Sequence, residues 1–78
     1  MKQEDFEDIY NTCLREINNG NTKYKNWNIK NACQVTINNI EMMSYLYPND
    51  NIDYHSLLIK FNELIKEYDR RFSYCNIM

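Results

Sequence analysis

The chain has 78 residues, of which 44% are hydrophobic, 14% aromatic and 26% charged, with a formal net charge of −2. This composition is typical of one small folded domain, because disordered chains are poor in aromatic and β-branched residues. No unbroken apolar run exceeds three residues, whereas a membrane helix needs roughly 20, so we expect no membrane association.

Charge is distributed unevenly along the sequence. Residues 1–20 carry a net charge of −3, and residues 41–78 carry −2. Between them, residues 21–40 contain three lysines and no acid, which gives +3. The middle of the chain is therefore a basic segment between acidic ends.

The first predicted element is a helix over residues 3–18. Apolar side chains recur at i, i+3 and i+4 from Phe6 to Ile17, which is the pattern of one buried helix face. Gly20 predicts the end of this helix. Acidic residues crowd its first turns, where the helix dipole favours negative charge, and we interpret them as helix-start residues rather than as a catalytic or metal site. They are Glu4, Asp5, Glu7 and Asp8.

A second helix is expected over residues 28–47, before the single proline of the chain. Asn28 can act as its N-cap, and Trp27 can pack against Ala32 as a hydrophobic staple. The β-branched run Val35-Thr36-Ile37 would also suit a strand. Helix is favoured because strict alternation of apolar and polar residues fails after this run.

The third helix is predicted over residues 53–74 and has the most continuous apolar stripe. Asp53 can cap it, and Ile52 can pack onto Leu57. At about 1.5 Å per residue it would be about 33 Å long, against about 24 Å for the first helix. Three amphipathic helices with short connections predict an all-α fold, a small three-helix up-down-up bundle in one domain, residues 1–78.

Residue types suited to catalysis or metal binding are scarce. His55 is the only histidine, and an exposed ring in a first helical turn explains its position. The cysteines Cys13, Cys33 and Cys75 form no C-x-x-C pair, which argues against a disulfide framework and a zinc site. Cys13 and Cys33 lie on predicted core faces as small hydrophobic residues. We expect a protein that is not an enzyme, with no metal and no cofactor.

The segment TKYKNWNIKN, residues 22–31, is the main candidate for a contact site. Its lysines alternate with the rings of Tyr24 and Trp27, as in single-strand binders, where bases stack on aromatic rings. Three lysines neutralise few phosphates, however, and nucleic-acid-binding domains usually have a larger basic excess. The favoured interpretation is a connection in which Trp27 closes the end of the core, with protein contact and nucleic-acid binding as alternatives. The lysines that would bind nucleic acid are Lys23, Lys25 and Lys30.

The end of the third helix is a second candidate surface. The third helix is longer than the first, so its last turns would lack a full set of neighbours. They would expose an apolar patch beside two arginines, and such patches usually mark interfaces. We expect a homodimer through this end, and a frayed chain end is the alternative. Tyrosine also suits recognition surfaces as a rigid amphipathic anchor. The predicted partner-binding residues are Tyr24, Trp27, Tyr45, Tyr47, Arg70, Arg71, Phe72 and Tyr74.

These features predict a small non-enzymatic helical protein that binds and modulates or inhibits a partner protein. The abundance of Asn, Ile, Tyr and Lys suggests AT-rich coding, hence a phage- or virus-type inhibitor of a host factor or defence system. The alternative function is a DNA- or RNA-binding regulator that uses residues 23–30, and an immunity or antitoxin partner is a third hypothesis. The acidic N-terminus predicts no signal peptide, and the cysteine pattern predicts a reducing, cytoplasmic compartment.

Overall fold

The computed structural model describes residues 2–72, which form three helices and one short antiparallel hairpin. The predominantly helical architecture expected from the sequence is confirmed. The two short strands are a correction, because the segment between the first two predicted helices was expected to form only a connection. The elements are α1 (Gln3–Asn18), β1 (Lys23–Tyr24), β2 (Trp27–Asn28), α2 (Ile29–Leu46) and α3 (Tyr54–Phe72).

Gly20 ends α1 in a Schellman motif. Its φ of +82° lies in the left-handed region, which residues with a Cβ adopt only under strain. The Gly20 N–H donates to the carbonyl of Ile17 at 2.9 Å, and the Asn21 N–H donates to the carbonyl of Glu16 at 2.8 Å. These two bonds satisfy the last carbonyls of the helix. The predicted stop is therefore correct, and it turns the chain into the hairpin.

The hairpin is joined directly to α2. Tyr24 pairs with Trp27 across a two-residue turn, and the first turn residue, Lys25, has a φ of +56°. A positive φ at this position is usual in two-residue hairpin turns. The Ile29 N–H donates to the carbonyl of Thr22 at 2.9 Å. This bond extends the ladder to the first residue of α2 and fixes the hairpin against that helix.

The core lies where the three helices meet. Tyr10 packs edge-on against Phe61, with 5.8 Å between the ring centroids. Thr36 is the buried polar residue of the described chain, and its Oγ1 donates to the carbonyl of Ala32 at 2.8 Å. Its hydroxyl therefore needs no partner outside α2. The largest fully buried side chains are Phe6, Phe61, Ile17, Ile29, Ile40, Leu57, Cys13 and Cys33.

Asp53 caps α3, as the sequence predicted. Its carboxylate accepts a hydrogen bond from the Ser56 hydroxyl at 2.8 Å and another from the Ser56 N–H at 3.2 Å. These bonds stabilise the charged form and lower the pKa of Asp53. The Asp53 N–H donates to Oε1 of Gln3 at 2.8 Å. The start of α3 is thereby tied to the start of α1, and the neighbouring His55 is exposed.

Candidate protein-binding surface

An apolar groove lies between the hairpin and α2. Tyr24 and Trp27 point to the same side of the hairpin because they face each other across it. With Ala32, Val35 and Thr36 they line a groove of about 270 Å³, called here the hairpin groove. Trp27 is 58% exposed, so the expectation that it closes the end of the core is wrong. The hairpin holds its ring at the surface instead.

Lys25 places a positive charge beside the hairpin groove. Its Nζ lies over the ring of Tyr24, 5.5 Å from the centroid. Lys23 precedes Tyr24 in the same strand, and successive side chains of a strand point to opposite faces. Lys23 is therefore directed away from the groove, although both lysines are exposed. The two residues have the same charge and differ in the side of the hairpin that they occupy.

The start of α2 is fastened to α3 by side-chain contacts. Lys30 Nζ binds both carboxylate oxygens of Asp69, at 2.9 and 3.1 Å. Asn28 accepts a hydrogen bond from the Lys30 N–H at 2.8 Å, which confirms it as the N-cap. Its Nδ2 also donates to the Tyr68 hydroxyl at 2.7 Å. Of the three lysines considered for nucleic acid, Lys30 is thus engaged in an ion pair between helices.

A row of exposed residues runs along the outer face of α2. Val35, Asn39, Met42 and Leu46 are all exposed, and their spacing of four, three and four residues places them on one side of the helix. We call these four residues the α2 row; Val35 also lines the hairpin groove. Met42 and Leu46 are 60% and 56% exposed, although both are large and apolar. This row is an uncovered apolar surface.

The α2 row is free of charged side chains. The charged residues of α2 are Lys30 and Glu41. Lys30 faces α3, where it binds Asp69. Glu41 follows Lys30 by 11 residues, which is close to three helical turns, so it lies on the same side as Lys30. Depletion of charge with enrichment of Met and aromatic residues is typical of the centre of protein interfaces.

None of the three apolar residues of the α2 row was predicted as a site residue. The signal available in the sequence was the scarcity of charge in α2, because a helix that is apolar on more than one face is either buried or part of an interface. Of the predicted residues nearby, Tyr45 is 86% exposed and Tyr47 is 54% exposed. The Tyr47 carbonyl accepts a hydrogen bond from the Tyr54 hydroxyl at 2.9 Å.

The end of α3 is more closely packed than expected. Phe72 is half-buried and lies against Tyr68, with 5.0 Å between ring centroids. Arg70 and Arg71 both donate hydrogen bonds to the carboxylate of Glu67. The bonds from Arg71 and then Arg70 lower the pKa of Glu67. Tyr74, the remaining predicted residue of this surface, lies outside the described residues.

Cys13 of α1 and Cys33 of α2 meet in the core. Both are free thiols with no exposed surface, and their side chains are hydrogen-bonded to each other. This bond, together with burial, raises the pKa of Cys33. A reactive thiolate needs access and an electropositive environment. The pair lacks access, which agrees with the predicted core positions; Cys75 lies outside the described residues.

Residues 2–72 contain no group of three or more His, Cys, Asp or Glu side chains that could hold a metal ion. In the same residues, no helix combines the length and the apolar character needed to cross a membrane. Comparison with known proteins identifies no relative. No family model matches the chain, and no curated protein or solved structure is significantly similar to it.

Proposed function

We propose that this protein is a non-enzymatic module that binds a partner protein, with the hairpin groove as its main anchoring site. The observation that carries the proposal is the position of Trp27, whose ring is 58% exposed at the edge of an apolar groove. Large aromatic side chains dominate the energetics of protein interfaces. The hydrogen bond from Ile29 to Thr22 holds the hairpin against α2, so binding would require little additional ordering.

The groove and its rim favour a partner segment with an apolar side chain next to a carboxylate. The apolar side chain would fill the space between Tyr24 and Trp27. Lys25 lies at that rim over Tyr24, where its ammonium group can pair with the carboxylate. Such a pair at the edge of an interface mainly raises the association rate and the specificity. We place the interaction in the cytoplasm, as proposed from the sequence.

The biological role that we propose is inhibition or modulation of a host factor by a phage- or virus-type accessory protein. Its support is the coding bias visible in the composition, with 13 asparagines and seven tyrosines among 78 residues. An immunity or antitoxin protein would have the same architecture and the same kind of binding surface. Identification of the captured partner distinguishes these roles.

We also propose that the three helices run up-down-up. Two contacts support opposite directions for α2 and α3. Lys30 at the start of α2 pairs with Asp69 near the end of α3, and Tyr54 at the start of α3 donates to Tyr47 just after α2. The start of α1 contacts the start of α3, as described above. Distances between spin labels at the helix ends would overturn this order if they placed the two starts of α2 and α3 together.

Affinity capture tests the proposed binding site. Tagged wild-type protein, Trp27→Ala and Ile59→Ala are incubated with a nuclease-treated lysate of a low-GC bacterium, and bound proteins are quantified by mass spectrometry. Ile59 is a matched control because it is 50% exposed but lies on α3. We expect a protein that wild type and Ile59→Ala capture and that Trp27→Ala loses by about tenfold or more, since a central aromatic anchor contributes at least about 2 kcal/mol.

Circular dichroism and melting temperatures of the three proteins must agree, so that a loss of capture is not a loss of folding. Equal capture by Trp27→Ala and wild type would show that the groove is not the binding site. Nucleic-acid binding is the alternative outcome. It would appear as a salt-sensitive complex tighter than about 10⁻⁶ M that weakens in Lys23→Ala, Lys25→Ala and Lys30→Ala variants, since non-specific binding is weaker than this.

A further inference from the structure

We infer that the α2 row is a homodimer interface, in which α2 packs against α2 of a second copy in the antiparallel orientation. This goes beyond the proposed function, because it assigns a second copy of the chain to the outer face of α2. The two surfaces adjoin at Val35, which belongs to the α2 row and also lines the hairpin groove. It also differs from the dimer expected from the sequence, which used the end of α3. The arguments come from the spacing of the row and from the charges at the two ends of α2.

The spacing of the α2 row is that of a two-helix seam. Steps of four, three and four residues alternate as the a and d positions of a heptad do. In an antiparallel pair, a positions face d positions, so Val35 faces the partner subunit's Leu46, and Met42 faces the partner subunit's Asn39. A two-fold axis repeats each contact. Polar Asn39 at an a position is a common way to fix the register of such a pair.

Charge favours a second copy, and it favours the antiparallel orientation. Residues 21–40 carry three lysines and no acid, whereas residues 41–53 carry three acids and no base. Lys30 is paired with Asp69 within the chain, so the exposed charges that flank α2 are basic in the hairpin before it and acidic in the loop after it. An antiparallel pair places each basic end beside the acidic end of the other copy and sets the two helix dipoles in opposite directions. A parallel pair would bring like charges together. The acids are Glu41, Asp50 and Asp53.

Two exposed residues provide the most direct contact of this kind. Lys25 lies in the turn that precedes α2, and Asp50 lies in the loop that follows it; both are exposed. In the antiparallel pair, each Lys25 approaches the partner subunit's Asp50. Because the two-fold axis doubles every pair, this contact occurs once at each end of the dimer. Surface pairs of this kind weaken as salt is added.

The interface is small, which determines the expected affinity. α2 has 18 residues, so it is about 27 Å long. One pair of helices with short contacts at each end belongs to the class of interfaces below about 1,200 Å² of total buried area, which are weak and transient. We therefore expect a dissociation constant in the micromolar range, on the order of 10–100 µM, so the dimer should form at high protein concentration.

Sedimentation equilibrium and light scattering over protein concentrations from about 1 µM to about 1 mM test the inference. We expect the mass of the wild-type protein to rise from one chain to two chains across this range. Met42→Glu should remain monomeric, because each of the two copies would place one negative charge at the centre of the interface. Ile59→Glu makes the same change on α3 at a residue that is 50% exposed, and it should dimerise as the wild type does.

A second variant protects the test against a folding defect. Met42→Gln keeps the length and helix propensity of the side chain and removes only the apolar contact, so it should weaken the dimer about tenfold. The orientation is tested by charge exchange. Lys25→Glu and Asp50→Lys should each weaken the dimer, and the double variant should recover it, because the two exchanged charges again attract each other in the antiparallel pair.

A wild-type mass of one chain at the highest concentration would overturn the dimer. The dimer would also be overturned if Met42→Glu and Ile59→Glu lost dimer formation equally, or if the double charge variant dimerised more weakly than both single variants. None of these outcomes concerns Trp27 or the capture experiment. Although the two surfaces adjoin at Val35, a failure of the dimer is therefore distinguishable from a failure of the proposed function.

Discussion

At the scale of single residues, Asn28 makes two connections that differ in how far they could be predicted. Its Oδ1 caps α2 by accepting from the N–H of Lys30, and its Nδ2 donates to the hydroxyl of Tyr68. The cap was predictable, because capping depends on a residue and its next few neighbours. The bond to Tyr68 spans 40 residues and depends on how α3 packs, so no local pattern indicates it.

We expect Asn28→Ala to lower the free energy of unfolding by about 1–2 kcal/mol, because the cap and the bond to Tyr68 are both lost. Tyr68→Phe removes only the bond between the helices and should cost about 1 kcal/mol. Urea denaturation of the two variants measures both values. Asn28→Ser is the control: serine is an equally good N-cap, so any remaining loss reports on the bond to Tyr68.

The double variant of Asn28→Ala with Tyr68→Phe separates the two contributions. Since the shared hydrogen bond can be lost only once, the double variant should be more stable than the sum of the two single effects predicts. Simple additivity would show that this bond contributes nothing to stability.

At the scale of secondary structure elements, the three helices were predictable and the hairpin was not. The predicted helices over 3–18, 28–47 and 53–74 compare with Gln3–Asn18, Ile29–Leu46 and Tyr54–Phe72 in the described chain. Long apolar periods and caps are strong local signals. The strands have two residues each, and the turn position that usually holds glycine is occupied by Lys25. The usual signals of a hairpin were therefore missing.

The end of α1 provides a test of how much the backbone conformation of one residue contributes to the stability of the protein. Gly20 has a φ of +82°, and a Cβ built there meets no atom within 4 Å. Gly20→Ala should therefore destabilise the protein by backbone strain alone, by about 1–2 kcal/mol. Thermal and urea unfolding measure this loss.

Gly20→Asn is the matched variant. Asparagine tolerates the left-handed conformation better than alanine does, so it should lose less stability although its side chain is larger. If asparagine costs as much as alanine or more, the loss comes from something other than the conformation of residue 20.

At the scale of the whole molecule, the three helices present chemically different outer surfaces. α1 exposes acids, of which Glu4, Asp5 and Asp8 are examples. α3 carries ion pairs such as Lys66 with Glu63 at 3.6 Å. α2 and the hairpin next to it expose apolar and aromatic side chains instead. The candidate binding surfaces thus lie on one side of the protein, and the charged helices on the others leave that side free for contacts.

This division of surfaces could be predicted only in part. The helical period of α2 indicates that Ile37 and Ile40 lie on its buried stripe and that Met42 and Leu46 do not, but it does not indicate whether another part of the chain covers Met42 and Leu46. Ile37 and Ile40 face the core, whereas Met42 and Leu46 face outward, and all four are apolar side chains on the same helix. That the outer side of α2 stays uncovered depends on how the helices pack, which is a property of the assembled chain. Trp27 was assigned to the core for the same reason.

The thiol pair in the core makes the opening of this fold measurable at two natural residues, without an engineered labelling site. Cys13 and Cys33 have no exposed surface, so a thiol-specific reagent can reach them only when α1 and α2 separate. When reclosing is faster than the reaction, the labelling rate is the rate for an unfolded thiol multiplied by the fraction of open molecules. In a Cys75→Ser background, we expect labelling to be slower than in denaturant by at least about 10³-fold. The two sulfurs should react at the same rate, and Gly20→Ala should accelerate both by about tenfold for each 1.4 kcal/mol that it removes. Fast and unequal labelling would show instead that one helix detaches while the rest of the molecule remains folded.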